Sequence, residues 1–184
     1  LTFVTTPLAI VMILFFIVAA IVTDASNLSN LLIAAVICWG IVISDISTRD
    51  HTASAEYITG TVNGGRIQCY LRQLFTTQIL GFLFMGVIAL RWCWDTPLRM
   101  TTLIIGLSSL SALAMLLGRL SRTPSTFIVC FLMLTYIALN AKNIALLDFV
   151  GFNASYSSFS LLIYIFVGII ATALGYGYNK YQAQ

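Results

Sequence analysis

The residues able to do chemistry in this chain are few, and they exclude more than they permit. His51 is the single histidine, which rules out paired-histidine haem ligation and histidine-rich zinc sites within the chain. No glycine-rich loop ending in Gly-Lys-Ser or Gly-Lys-Thr occurs, so the chain has no phosphate cradle of that kind and any nucleotide energy must come from a partner. No catalytic, cofactor-binding or metal-binding residue is expected, and the chain is not expected to be an enzyme. Among the carboxylates, Asp45 and Arg49 stand four residues apart, at helical pairing distance, and read as an interfacial salt bridge rather than a proton relay. The scarcity of further acidic residues in the apolar runs argues against an ion-coupled carrier.

The elements that must position these residues are apolar. Of 184 residues, 60% are hydrophobic and 8% charged, with mean hydropathy +0.99, a composition that suits a polytopic helical membrane protein. A span needs about 20 apolar residues, and six runs approach that length: 3–22, 28–46, 74–90, 100–117, 125–139 and 159–177. They predict an all-α fold, one transmembrane domain over 1–184 with the lipid bilayer as its solvent. A β-barrel is not expected, since its strands would alternate apolar and polar residues. Opening on Leu1 inside an apolar run is the beginning expected of a fragment of a longer chain. Pro7 to Val22 lacks the basic leader and cleavage site of a secretory signal.

The polar punctuation sets the topology. Thr23 to Asn27 makes the first two spans a hairpin, and Trp92 and Trp94 suit a headgroup layer. Thr123-Pro124 is a helix start, and Tyr176, Tyr178, Lys180 and Tyr181 form an aromatic and basic border. One side carries Arg49, Arg66, Arg72, Arg119, Arg122 and Lys180; the other carries Arg91, Arg99 and Lys142. That imbalance predicts a cytosolic carboxyl terminus. The net charge of +3 follows from this topology and gives no support to nucleic-acid binding. Cys69 and Cys93 fall on opposite sides, so no disulfide framework is implied.

Small residues mark where helices can approach closely. Gly168, Ala171 and Gly175 share a face of the last span, and Ser108, Ala112, Ala114 and Gly118 offer a matching one on the fourth; these faces meet either within one chain or across a dimer. Between the fifth and sixth spans, 140–152 is semi-apolar and is expected to dip into the membrane and return. Taken alone, Asp148 in that stretch reads as a solvated interfacial carboxylate.

The most informative polar segment is the expected cytosolic loop 47–73. From Ser44 to Tyr57 it can continue the second helix; Gly60 and Asn63-Gly64-Gly65 then break it, and Arg66 to Gln73 leads back into the membrane. Its basic residues also suit anionic headgroups. The stretches Ser47-Thr48-Arg49-Asp50-His51, Glu56-Tyr57-Ile58 and Asn63-Gly64-Gly65-Arg66, with Leu146-Leu147-Asp148-Phe149-Val150-Gly151 between the last two spans, resemble the membrane subunit of type-2 ATP-binding-cassette exporters. The family's usual proline after the loop helix is replaced by Val62-Asn63-Gly64-Gly65.

The resemblance implies a permease with a coupling helix between spans two and three. Arg49, Glu56, Arg66 and Arg72 would meet an ATPase subunit, and a second membrane subunit or another copy would complete the pathway. Asp148 and Gly151 would lie in an extracellular re-entrant segment, and the setting would be a bacterial inner membrane. The competing expectation is a structural or assembly subunit of a membrane complex, motivated by the clean spans.

Overall fold

The computed structural model describes residues 7–52, 65–141, 144–153 and 157–182. Among them the chain is helical, with six α-helices: α1 (Pro7–Val22), α2 (Leu28–Thr52), α3 (Gly65–Asp95), α4 (Pro97–Ser121), α5 (Pro124–Asn140) and α6 (Ser158–Gln182). Four helical segments are long and apolar enough to cross a membrane, namely Ala25–Ile46, Ile67–Asp95, Pro97–Ser121 and Ser158–Tyr181. Ile10–Val22 and Pro124–Asn140 are shorter apolar helices. The chain is therefore an all-helical protein suited to embedding in a membrane.

Helix limits follow local chemistry. Pro97 and Pro124 stand in the first turn of α4 and α5, where a missing N–H costs nothing because it has no intrahelical acceptor. α4 stops where Arg122 turns left-handed at φ 57° and donates its N–H to the Gly118 carbonyl, closing the helix end in place of a glycine. Within the expected loop 47–73 the sequence reading continues the second helix from Ser44 and leads back into the membrane over 66–73, and the described part of both stretches is helical. α2 continues to Thr52 and α3 begins at Gly65, so much of the expected loop 47–73 is helix, and only 53–64 lies outside the described residues.

α4 is the hub, packed against α2, α3, α5 and α6, while α1 lies against α2 and α3. Its span is 56% buried, against 17% for that of α6. An enclosed helix with Thr102, Ser109 and Ser111 buried must satisfy those hydroxyls internally, because hydrocarbon offers no partner. Each donates to a carbonyl one turn back: Thr102 to Leu98, Ser109 to Gly106 and Ser111 to Leu107, at 2.8, 2.9 and 2.9 Å. Close approach needs small residues. A Cβ on Gly40 of α2 would lie 2.3 Å from the Phe131 ring of α5, and Trp39 donates across to the Thr77 carbonyl of α3 at 3.2 Å.

Candidate functional site

The charged side chains among the described residues gather at the two ends of the bundle. At the end shared by the carboxyl termini of α1, α3 and α5, the segment 144–153 folds inward, burying Phe149, Val150 and Phe152 in the apolar core. Asp148 is fully buried there. Its carboxylate accepts the backbone N–H of Phe152 at 2.6 Å and of Asn153 at 2.9 Å, so an aspartate that reads as solvated in sequence serves instead as the core of a tight turn. Gly151 completes that turn at φ +82°, a backbone conformation that disfavours any residue with a Cβ.

Arg99, in the first turn of α4, fastens the segment. Its Nε donates to the Gly151 carbonyl at 2.8 Å, and its Nη2 donates to the Phe152 carbonyl at 3.0 Å and to Ser29 Oγ at 2.8 Å. The guanidinium lies 3.8 Å from the centre of the Trp92 ring, a cation–π contact that suits a planar, weakly hydrated cation. Asn153 donates to the Ala138 carbonyl of α5 at 2.7 Å. Beside them Arg91 donates to the carbonyls of Ala20 and Thr23 at 2.8 and 2.6 Å, satisfying the open carboxyl end of α1.

At the opposite end Arg119 of α4 joins three helices. It donates to Gln73 Oε1 of α3 at 2.9 Å and to Asn179 Oδ1 of α6, and its guanidinium lies 5.5 Å from the centre of the Tyr70 ring. Asn179 donates in turn to the Gly175 carbonyl at 2.6 Å. The Tyr70 hydroxyl reaches the Thr172 carbonyl at 3.4 Å.

These contacts place the sequence candidates. Arg49 and Arg66 are on the helical backbones of α2 and α3 with side chains outside the described residues, Glu56 lies wholly outside them, and Arg72 is exposed on α3. Asp45 is exposed on α2. A Cβ on Gly168 would come within 3.3 Å of the Ser109 Cα of α4, and a Cβ on Gly175 would lie 2.5 Å from the Tyr70 hydroxyl. Ala171 is buried on the same helix. The four cysteines are free thiols. Cys69 is buried and Cys93 exposed, so their thiols differ in access whichever way the chain is oriented. Among the described residues no group of three or more histidine, cysteine or acidic side chains is placed to hold a metal.

Arg99, Arg119, Gln73 and Asn179 carry the network, and sequence reading gave them no role beyond topology. The signal available was that a cation inside or beside an apolar run needs a partner, without a rule to say which one. Comparison with family models, curated proteins and solved structures gives no match to this chain.

Proposed function

We propose that the chain is the membrane-spanning permease subunit of an ATP-driven exporter of the type-2 ATP-binding-cassette class, moving its substrate with energy from a separate ATPase subunit. All six helices cross the bilayer in this reading. α5, with 17 residues, extends about 26 Å, and thinning of the bilayer around it makes up the difference from a core of about 30 Å. The end carrying Arg119 faces the cytosol, and the buried 144–153 segment faces the opposite side. A second membrane subunit or another copy of the chain lines the pathway.

The observation that supports this reading best is the reach of α2 and α3. With 25 and 31 residues, they extend about 37 and 46 Å, well beyond the hydrocarbon of about 30 Å. Both overrun at the end that bears Arg49, Asp50, Arg66 and Arg72, which brings a charged elbow into water where an ATPase can grip it. Because α3 is one continuous helix, a push on the elbow is carried along it to Tyr70 and Gln73, and through Arg119 to α4 and α6. In this mechanism the chain supplies no bond-making group. It transmits displacement and provides the wall past which the substrate moves.

Co-expression with an ATPase encoded beside it tests the proposal. The ATPase is expected to co-purify, and Glu56→Lys or Arg66→Glu to weaken its retention without loss of folded permease. Retention that ignores both reversals would overturn the docking assignment. Orientation is read separately with an impermeant thiol reagent on intact cells, comparing Cys93 with an introduced Lys180→Cys, because Cys69 is buried. Cys93 alone is expected to label.

The alternative, a structural subunit of a membrane complex, is favoured by one feature: Arg91, Arg99 and Arg119 are all bonded to groups of this chain. That is the behaviour of a static brace. Reconstituted permease and ATPase whose ATP hydrolysis is unaffected by the elbow reversals, together with collapse of a larger complex when the chain is lost, would favour it.

A further inference from the structure

Between α3, α4 and α6 runs a groove of about 670 Å³, open along one side of the bundle. Among the described residues no acidic, basic or histidine side chain lines it, and exposed Leu71, Ile165 and Ile169 make its walls apolar. That volume suits a drug-sized molecule, and in sites of this size a few placed polar groups decide what binds. The deciding group here is the partly buried Gln78 of α3, which lines the groove opposite Ser108 of α4.

Both residues lie near the middle of their spans. Gln78 stands 13 residues past Gly65 and 17 before Asp95, and Ser108 stands 11 past Pro97 and 13 before Ser121, which puts each about 16 Å or more from either end of its helix. At that depth hydrocarbon supplies no hydrogen-bond partner. The polar groups of ordinary phospholipid stay outside the core, about 15 Å from its midplane.

The Gln78 amide carries two N–H donors and one carbonyl oxygen. One N–H reaches the Ser108 carbonyl at 3.4 Å, and the oxygen faces the Ser108 hydroxyl at 3.3 Å, both long for such bonds. The Ser108 proton has a nearer acceptor in the Ile104 carbonyl at 2.9 Å. The second Gln78 N–H has no acceptor among the described residues. The other hydroxyls at this level are engaged, since Ser109 donates to the Gly106 carbonyl at 2.9 Å and Thr172 to the Gly168 carbonyl at 2.8 Å.

We infer that this groove binds a neutral, largely apolar molecule whose carbonyl oxygen accepts the unmet Gln78 N–H at mid-depth. A charged ligand finds no counter-ion in the lining. A pure hydrocarbon fills the groove but leaves a polar donor unpaired in an apolar wall, which is costly. The site stands independently of whether the chain works as an exporter.

The test uses the full chain in phosphatidylcholine vesicles with benzophenone, a neutral ketone whose carbonyl is also its photoreactive group. Adducts are mapped by peptide mass spectrometry. They are expected to saturate with dose and to concentrate on the segments bearing Leu74 and Ile165. A dibutylbenzamide is expected to compete, and an alkylbenzene of equal size at the same membrane concentration is not. Gln78→Leu removes the donor while Ser108 keeps its Ile104 partner, and is expected to lower the adducts roughly three- to tenfold. Ile169→Trp, at an exposed position in the groove wall, is expected to block them by volume. Gel filtration in detergent checks that both variants stay folded.

Equal competition by the alkylbenzene, or adducts spread over every exposed apolar helix face, would mean simple partition and would overturn the inference. Adducts unchanged by Gln78→Leu would do the same. So would disulfide cross-linking of two copies through Ile169→Cys with benzophenone excluded, which would make this face an interface between copies. None of these outcomes bears on ATPase retention, so the two proposals fail separately.

Discussion

The two ends of the bundle use arginine in opposite ways. At the 144–153 end, Arg99 is turned inward: two hydrogen bonds hold a folded segment whose own aspartate is buried, while a third to Ser29 and the Trp92 ring hold the guanidinium. At the elbow end Arg119 also bonds inward, but Arg72 and Lys180 beside its partners are exposed. One end is therefore built as a plug and the other as a contact surface carried on a brace. The difference teaches that charge count alone says which end is more basic, while only the partners say which charges remain for lipid or protein.

The sharpest way to break this comparison is at Asp148. Its carboxylate accepts two backbone N–H groups away from water, and each buried donor left without an acceptor costs about 1–3 kcal/mol. Asp148→Ala is expected to destabilise the detergent-solubilised protein by about 3–5 kcal/mol in denaturant unfolding. Asp148→Asn keeps one acceptor oxygen and is expected to lose roughly half as much. An alanine variant as stable as the parent would show that the segment is not held by this turn.

The second prediction concerns how tightly the plug sits on the hub. A Cβ on Gly106 would lie 1.8 Å from the Phe149 carbonyl oxygen, and a backbone atom cannot swing aside as a side-chain tip can. Gly106→Ala is expected to cost about 1–3 kcal/mol through displacement of the segment. Gly86→Ala is the control, since a Cβ there meets nothing within 4 Å. Equal effects of the two substitutions would separate the segment from α4.

The sequence made the helices legible and left the plug obscure for a physical reason. Apolar run length is a one-dimensional property, so six helices in the expected order could be read from it, and the proline start of α5 with them. Where the polar ends of α2 and α3 continue past the apolar run, hydropathy stops marking the helix although the backbone hydrogen bonds continue, and the helical reading there rested on the polar residues from Ser44 onward and on Arg66 to Gln73 instead. Asp148 was not legible in this way. Its partners are the N–H groups of residues four and five further on, and a carboxylate satisfied by backbone leaves no complementary side chain in the sequence to find. Arg99 and Gly151 are 52 positions apart, and Arg119 and Asn179 are 60, distances over which only the folded chain makes the pairing visible.

The smallest expected effect tests the brace. Asn179 is buried and links the Arg119 guanidinium to the Gly175 carbonyl, yet Arg119 keeps Gln73 and the Tyr70 ring when that link is cut. Asn179→Ala is therefore expected to cost about 1–2 kcal/mol, less than Asp148→Ala under the same unfolding assay. Its functional signature should be larger than its thermodynamic one. Under the proposed exporter reading, α6 then keeps only its direct contact with α3 through Tyr70 and Thr172, so ATPase retention should survive while stimulation of ATP hydrolysis falls. A cost matching that of Asp148→Ala would make both ends equally rigid and remove the distinction between plug and brace.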